Sequence, residues 1–444
     1  MTSSRVHIQV LHVRSLSEWA PVCIGPYSQA NVYLEALVHL AGQIPLDPAL
    51  MTVWGDDLRC LFDRACPKFL SKHDFSTWSL LCTQLILSLK HVSSILKTLN
   101  SSNQRLVCCV VYVNLGTESP LASLSSHEFF NDLAELGRFI LSRGFDQRVV
   151  TGSTESTGSD DDDDSDLEPS AVSPLLLDCV AVSGLPRDCL VEVEATACSA
   201  LLPGDDFIFH SAYTALDDGV LKQEGEGRRE GDVTSSSIKL KALNDLSSQR
   251  AIWKEWPLLS THGDMSERPP WGLPADNSHT ASIARLRVST EDEMCKSLRS
   301  LVRYKTLPRA LVAATADVFS ANDTLSITEL APQIAHLICM NIIDILYQAQ
   351  LASSYIQSIR VYHSCSPIEL SLFAEALEHQ ITLLLYSGPG DEAWTAPFVY
   401  APVPPTSRSL RTLTGEYASK LLSVHLFAID SAQVETATWI HRGR

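Results

Sequence analysis

One order of elements occurs twice in this chain, and it restricts the fold more than composition does. In the first half, ALVHLAGQIPLD (36–47) is a short apolar strand, Ala36 to Ala41, ended by Gly42 and a turn at Pro45. Leu81, Leu85, Leu89, Val92, Leu96 and Leu99 then recur every three or four residues, the spacing of one helical face. RLVCCVVYVNL (105–115) is short and β-branched and reads as a buried strand. Ser125-Ser126-His127-Glu128 has the S-x-x-E pattern of a capping box, ahead of a second helical stripe at Phe129, Leu133, Leu136 and Ile140. LLLDCVAVSGLPRDCLVEVEATA (175–197) supplies two strands around a Gly-Leu-Pro turn, with Val191 and Val193 alternating against Glu192 and Glu194.

The same order returns further on. ALVAATADVF (310–319) is a strand, and Ile334, Leu337, Ile338, Ile342, Ile345 and Leu346 mark a helix. SIRVYH (358–363) is a strand, followed by a second capping box at Ser366-Pro367-Ile368-Glu369 with proline at the favoured first helical position. That box opens a helix through about His379, and ITLLLY, PFVYAPV and SVHLFAI read as further strands. Two halves with one element order predict an internal duplication.

What lies between is polar. TGSTESTGSDDDDDSDLEPS (151–170) has one large apolar residue, Leu167, and its carboxylates repel one another and bury nothing, so 150–171 reads as a disordered acidic insertion. It lacks the alternating ligands and turn glycine of a calcium loop. GVLKQEGEGRREGDVTSSS is polar, and Trp253 to His279 is rich in Pro, Gly and Trp. The expected division is a first domain over 1–204 carrying the insertion, a loop-rich region over 205–305 that opens the second copy, and a second core over 306–444.

Composition narrows the class. Apolar residues make up 45% and charged residues 19%, which is globular. The net charge of −18, acidic even outside the aspartate tract, speaks against a nucleic-acid binder and a ribonuclease. No apolar run in the sequence approaches the roughly 18–20 residues expected of a membrane span, and MTSSRVHIQVLHVRS lacks the apolar core of a secretion signal. Twelve cysteines without a CxxC read as reduced thiols, so a cytoplasmic protein is expected. His363 and Cys365 form an isolated H-x-C pair, and zinc needs three or four ligands, so no metal site is expected.

CIGPYSQA (23–30), then LAGQIPLDP, then LPRDCLVEVEATA, taken together and in this order, resemble the Rid family (YjgF-like, or L-PSP endoribonuclease-like). The resemblance implies an α+β fold with two chorismate-mutase-like (Rid/YjgF-like) domains, each a mixed sheet with two helices on one face. It also implies trimers with ligand sites between subunits. SLSEWAPVCIGPYSQA with LAGQIPLDPALM is similar to the tandem Rid-like region at the C-terminal end of the diphthine–ammonia ligase (diphthamide synthetase) family, over roughly residues 16–430. That likeness implies a part in the ATP-dependent amidation of diphthine to diphthamide on translation elongation factor 2. The implied partners are elongation factor 2 and an ATP-pyrophosphatase domain, and ATP is the cofactor of the full-length family. Nothing here matches the SGGKDS-type loop of that domain: Thr157-Gly158-Ser159-Asp160 runs into aspartates that would repel a nucleotide. The chain is expected to be the accessory C-terminal part and to hold no cofactor itself.

Active Rid enzymes, by the same resemblance, hydrolyse enamines and imines. An arginine in the strand before the Leu-Pro turn grips the substrate carboxylate, and a glutamate on the next strand positions water. Counting back from Leu185-Pro186, the arginine position holds Leu177, the nearby cysteine position is Cys179 and the glutamate is Glu192; Tyr27 and Gly42 match other pocket residues. Leucine cannot pair with a carboxylate, and Arg187, two residues past Leu185, is expected to point elsewhere. The candidate pocket is therefore Tyr27, Gly42, Cys179 and Glu192, with no catalytic residue.

Each of these has a plainer reading: a turn glycine, a packed tyrosine, a core thiol, a solvated strand carboxylate. The glycine position of the second half falls in Ala313-Ala314-Thr315, and SVHLFAI carries no glutamate, so that copy is expected to be structural. The rival function is a free-standing Rid-type enamine/imine deaminase. A sheet with helices on one face leaves the other face to cover, including Val107, Val110, Leu176, Val180, Leu384 and Val399, so the two sheets are expected to cover one another within the chain, with room for further self-association.

Overall fold

The computed structural model describes residues 8–53, 77–122, 127–143, 175–202, 207–215, 298–320, 327–385, 398–403, 409–411 and 417–442. They fall into two compact units, Met1–Phe209 with Ser431–Arg444, and His210–Asp430.

The first unit contains β1 (Ile8–Leu11), β2 (Ala30–Tyr33), β3 (Leu37–Gln43), α1 (Trp78–Thr98), β4 (Leu106–Asn114), α2 (His127–Arg143), β5 (Leu176–Val182) and β6 (Val191–Cys198). Its sheet runs β1-β2-β3-β6-β4-β5, with β4 and β5 parallel and the other neighbours antiparallel. The parallel pair follows from α2, which crosses over between its two strands. Leu81, Leu85, Leu89, Val92 and Leu96 of α1 are fully buried, as the stripe predicts. With Phe129, Leu133 and Leu136 of α2 they share one core with Cys109, Val111 and Val113 of β4 and Val191, Val193 and Ala195 of β6. Each such aliphatic side chain contributes about 1.5–3 kcal/mol by burial. Trp78 and Phe129 tie the two helices together, ring edge to ring face, at 5.7 Å.

The second unit contains β7 (Ile208–Ala215), β8 (Leu298–Leu307), β9 (Leu311–Ser320), α3 (Ile327–Ala349), β10 (Ile356–His363), α4 (Pro367–Leu385), β11 (Phe398–Pro402), β12 (Ser409–Arg411) and β13 (Tyr417–Ile429). Its sheet runs β7-β8-β9-β13-β10-β11, with β12 beside β13 and with β10 and β11 parallel. Strand for strand this is the order of the first sheet. Even details repeat: a 3-10 turn precedes the central strand in both units (Asn103–Arg105, Ser353–Tyr355), and each central strand has a register shift at its start, Leu106/Cys108 and Ile356/Ser358. Each unit is thus α+β, a mixed sheet with two helices packed on one face, and the duplication read from element order is present in the topology.

Local expectations fared unevenly. The second capping box is made: the Ser366 N–H donates to Glu369 Oε2 at 2.8 Å, and the Glu369 N–H donates to Ser366 Oγ at 3.4 Å. The strand expected at ITLLLY is instead the end of α4, which runs to Leu385. Phe373, Leu377 and Ile381 are buried at intervals of four, so the helical period continues through a run whose composition alone suggests a strand. Leu384 accordingly belongs to a helix and not to a sheet face. β3 continues through Gly42 to Gln43 by way of a bulge against β6. The membrane criterion is also corrected, because α1 and Leu330–Ala349 of α3 are long and apolar enough to cross a membrane. Their apolar sides lie in the two cores.

The strands β1, β2, β7, β8 and β12 and the helix α5 (Ser431–Arg442) have no counterpart in the sequence reading, which took the stretch holding β7 and most of β8 as loops. Ser125 and Ser126 of the first capping box, the acidic insertion at 150–171 and most of 205–305 lie outside the described residues; β7 and most of β8 mark the ends of that last region.

Candidate functional site

Side-chain alternation along β5 separates the expected residues. Leu177, Cys179 and Ala181 belong to the helix-side core, so Leu176, Asp178 and Val180 lie on the opposite face. Leu177 packs against α2 where that helix has no side chain: a Cβ on Gly137 would meet Leu177 Cδ1 at 2.9 Å. Arg138 of the same helix donates from Nη2 to the Leu177 carbonyl at 3.2 Å. The residue at the guanidinium position is therefore a core leucine, 1% exposed.

The sheet face opposite α1 and α2 holds the polar groups. Register places Tyr112 of β4 between Val180 and Glu192, and Val110 between Asp178 and Glu194. The Tyr112 hydroxyl donates to Glu194 Oε2 at 2.8 Å. Glu192 reaches across to β3, where its carboxylate occupies the space a side chain on Gly42 would fill. Only glycine allows that approach. Burial raises the pKa of the Glu192 carboxyl, and the neighbouring Glu194 carboxylate raises it further. The phenol of Tyr27, 38% exposed, is raised by burial, lowered by a hydrogen bond to the Ile24 backbone, and raised again by the charges of Cys23 and Glu192.

Of the four expected pocket residues, Gly42 and Glu192 are in contact, and Tyr27 lies within reach of the Glu192 charge. Cys179 does not join them, because it is one residue out of phase with that face and sits in the core. Arg187 points away, as expected; its Nη1 donates to the Met51 carbonyl at 2.8 Å. Sequence reasoning missed Tyr112 and Glu194. The alternation of Glu192 and Glu194 placed both carboxylates on one face, but cross-strand register alone brings Tyr112 beside them.

The second unit keeps the frame and changes the chemistry. Its register sets Tyr362 beside Ser423 and Ala401, and Arg360 beside His425 and Val399. The tyrosine position is retained, while serine, histidine and valine stand where the first unit has Glu192, Glu194 and Asp178. Arg303 pairs with Asp317 on neighbouring strands at 2.9 Å. His363 lies buried at the end of β10, and among the described residues no group of three or more His, Cys, Asp or Glu could hold a metal ion.

No family model and no curated protein matches this chain. Solved structures do. The YjgF gene product of E. coli is 20% identical, covering 43% of this chain and 98% of its own, with a TM-score of 0.24. YyfA from Yersinia pestis, of the Rid protein family, is 17% identical, covering 43% and 99%, with a TM-score of 0.24. E. coli TdcF with bound serine is 19% identical, covering 43% and 99%, with a TM-score of 0.25. The chain is similar to Rid-type proteins over the length of one such protein.

Proposed function

We propose that this chain is a cytoplasmic accessory module without catalytic activity of its own, the tandem Rid-like part of a diphthine–ammonia ligase. In that role it serves the ATP-dependent amidation of diphthine to diphthamide on elongation factor 2. Its work is to dock the factor or an ATP-pyrophosphatase domain, with self-association through the sheet faces, and it needs neither nucleic acid nor membrane. The observation that carries the non-catalytic reading is Leu177, locked in the core against Gly137. The doubled topology supports the tandem architecture, and the ligase assignment rests on the motifs around Tyr27 and Gly42.

The test is to incubate the chain with diphthine-bearing elongation factor 2, ATP and ammonium, with and without a separate ATP-pyrophosphatase domain of such a ligase. The chain alone gives no amide by intact mass, and its addition accelerates the pyrophosphatase domain or binds the factor. Amide formed by the chain alone, or neither acceleration nor binding, overturns the proposal.

A second reading, a Rid-type imine deaminase, is favoured by the Gly42–Glu192 contact, with Tyr27 in reach of the Glu192 charge. Leu177 supplies no anion anchor for it. Losing a charge-assisted bidentate contact costs roughly 3–5 kcal/mol, or about two to four orders of magnitude in rate.

A further inference from the structure

The segment Ile44–Val53 leaves β3 directly after Gly42 and Gln43 and closes on itself. Leu46 and Val53 form an antiparallel bridge. Asp47 Oδ1 accepts the N–H groups of Ala49 and Leu50 at 2.7 and 2.8 Å, and the Met51 N–H donates to the Asp47 carbonyl at 2.8 Å. The result is a preformed strap rather than a loose connection.

Two side chains bolt the strap down. His91 of α1 donates from Nε2 to the Leu46 carbonyl at 2.8 Å, which fixes the proton on that nitrogen because a carbonyl only accepts. Arg187, in the turn before β6, donates to the Met51 carbonyl at 2.8 Å. Under the strap, Ile44, Leu46 and Cys189 form a small apolar cluster with Met51, Val53 and Leu185. Met51, Arg187 and Asp188 all hold positive φ, at 58°, 57° and 55°. Side-chain-bearing residues keep that conformation where their surroundings fix it. The strap therefore joins the two stretches that build the site, the one ending at Gly42 and the one leading through Cys189 to Glu192.

We propose that the Ile44–Val53 strap is a latch that sets the Gly42–Glu192 contact, and that His91, with a single ring proton, holds it shut, so that acidification opens it. The imidazole is 2% exposed, and its Nδ1 is buried without a partner among the described residues. A second proton would put a charge there with no acceptor. Among the described residues, the charged groups around the ring are Lys90 on its own helix and Asp47 on the strap, and Arg187 and Asp188 belong to the turn that meets the strap at Met51. Burial lowers the His91 pKa to about 4, with Lys90 acting in the same direction and the Leu46 carbonyl and Asp47 opposing. In an open strap the ring would titrate near its ordinary value of 6.5. Linkage then raises the opening constant roughly 30-fold between about pH 7.5 and 5.

Hydrogen exchange of the full chain, read by mass spectrometry and corrected for intrinsic rates, tests this. Peptides over 44–53 should gain roughly 30-fold in opening constant at pH 5, while α1 peptides do not change. His91→Gln, whose amide donates without titrating, should remove the pH dependence. Equal strap exchange at both pH values, or an undiminished rise in His91→Gln, overturns the proposal. If His91→Gln exchanges as an unfolded chain, Arg187→Ala decides at pH 7.5. Faster exchange at 51–53 with α1 unchanged supports the latch, and unchanged exchange there overturns it.

Discussion

The carboxylate of Glu192 lies across the bare Cα of Gly42, so a strand of one hairpin and a strand more than a hundred residues later share one van der Waals envelope. Gly42→Ala should force the Glu192 side chain out of its place and cost about 1–3 kcal/mol, the range of overpacking in tight sites. In a Glu192→Ala background the same substitution should cost far less. Denaturant unfolding of the four proteins gives the coupling, and a coupling near zero would show that the two residues tolerate one another by other means.

Leu177→Arg should not restore imine chemistry. The Leu177 side chain is packed under α2, and a guanidinium placed there is a buried, unpaired charge costing several kcal/mol. The expected outcome is a strongly destabilised protein with no acceleration of semicarbazone formation from 2-iminobutyrate. The unmodified chain should likewise give no acceleration. A folded Leu177→Arg protein that accelerates the reaction would mean that β5 can slip by one residue, exchanging its two faces.

That parity marks the limit of what was legible in the sequence. Periodicity found α1, α2, α3, the central strands and the duplication, because a stripe of Leu or an alternation of Val and Glu records which face is buried. ITLLLY misled because its unbroken apolar run hides the period that Phe373, Leu377 and Ile381 reveal once the helix is extended. The site was half legible. Tyr27, Gly42 and Glu192 came from motifs, but counting along β5 could not say that Leu177 and Cys179 share a face opposite to Glu192. Buried on both faces, LLLDCVAV carries no alternation to read. Tyr112 was beyond reach for a related reason, since its partnership with Glu194 exists only across the β4–β6 register.

Ser366→Ala tests how far the second capping box matters. It removes the acceptor for the Glu369 N–H and should cost about 0.5–2 kcal/mol. The bond to Ser366 Oγ is long at 3.4 Å, which favours the lower half of that range. Glu369→Gln should cost less, because its side-chain oxygen can still accept the Ser366 N–H. Unfolding curves of the two variants check the order, and a Glu369→Gln loss exceeding that of Ser366→Ala would show that charge outweighs the cap.

Asp344 of α3 gives the fold a pH dependence of opposite sign to that of His91. Burial raises its pKa to about 6, with a hydrogen bond to Gln348 pulling the other way, and its charge helps to raise the phenol of Tyr304. A carboxyl whose folded pKa exceeds its unfolded value of 3.8 binds its proton more tightly in the native state. The stability it contributes is fully present below about pH 4 and is lost as pH rises through about 6. His91 behaves in the reverse way: its folded value is about 4 against 6.5 unfolded, so stability is lost as pH falls through that interval. Wild-type stability between pH 4 and 6 therefore mixes two opposed slopes, and only difference measurements separate them. Asp344→Asn should gain stability relative to wild type as pH rises from about 4 to 7, by at most about 3 kcal/mol and by less where water reaches the carboxyl. Denaturant unfolding at several pH values measures the difference, and a pH-independent difference between the two proteins would place the Asp344 carboxylate in an environment that solvates it.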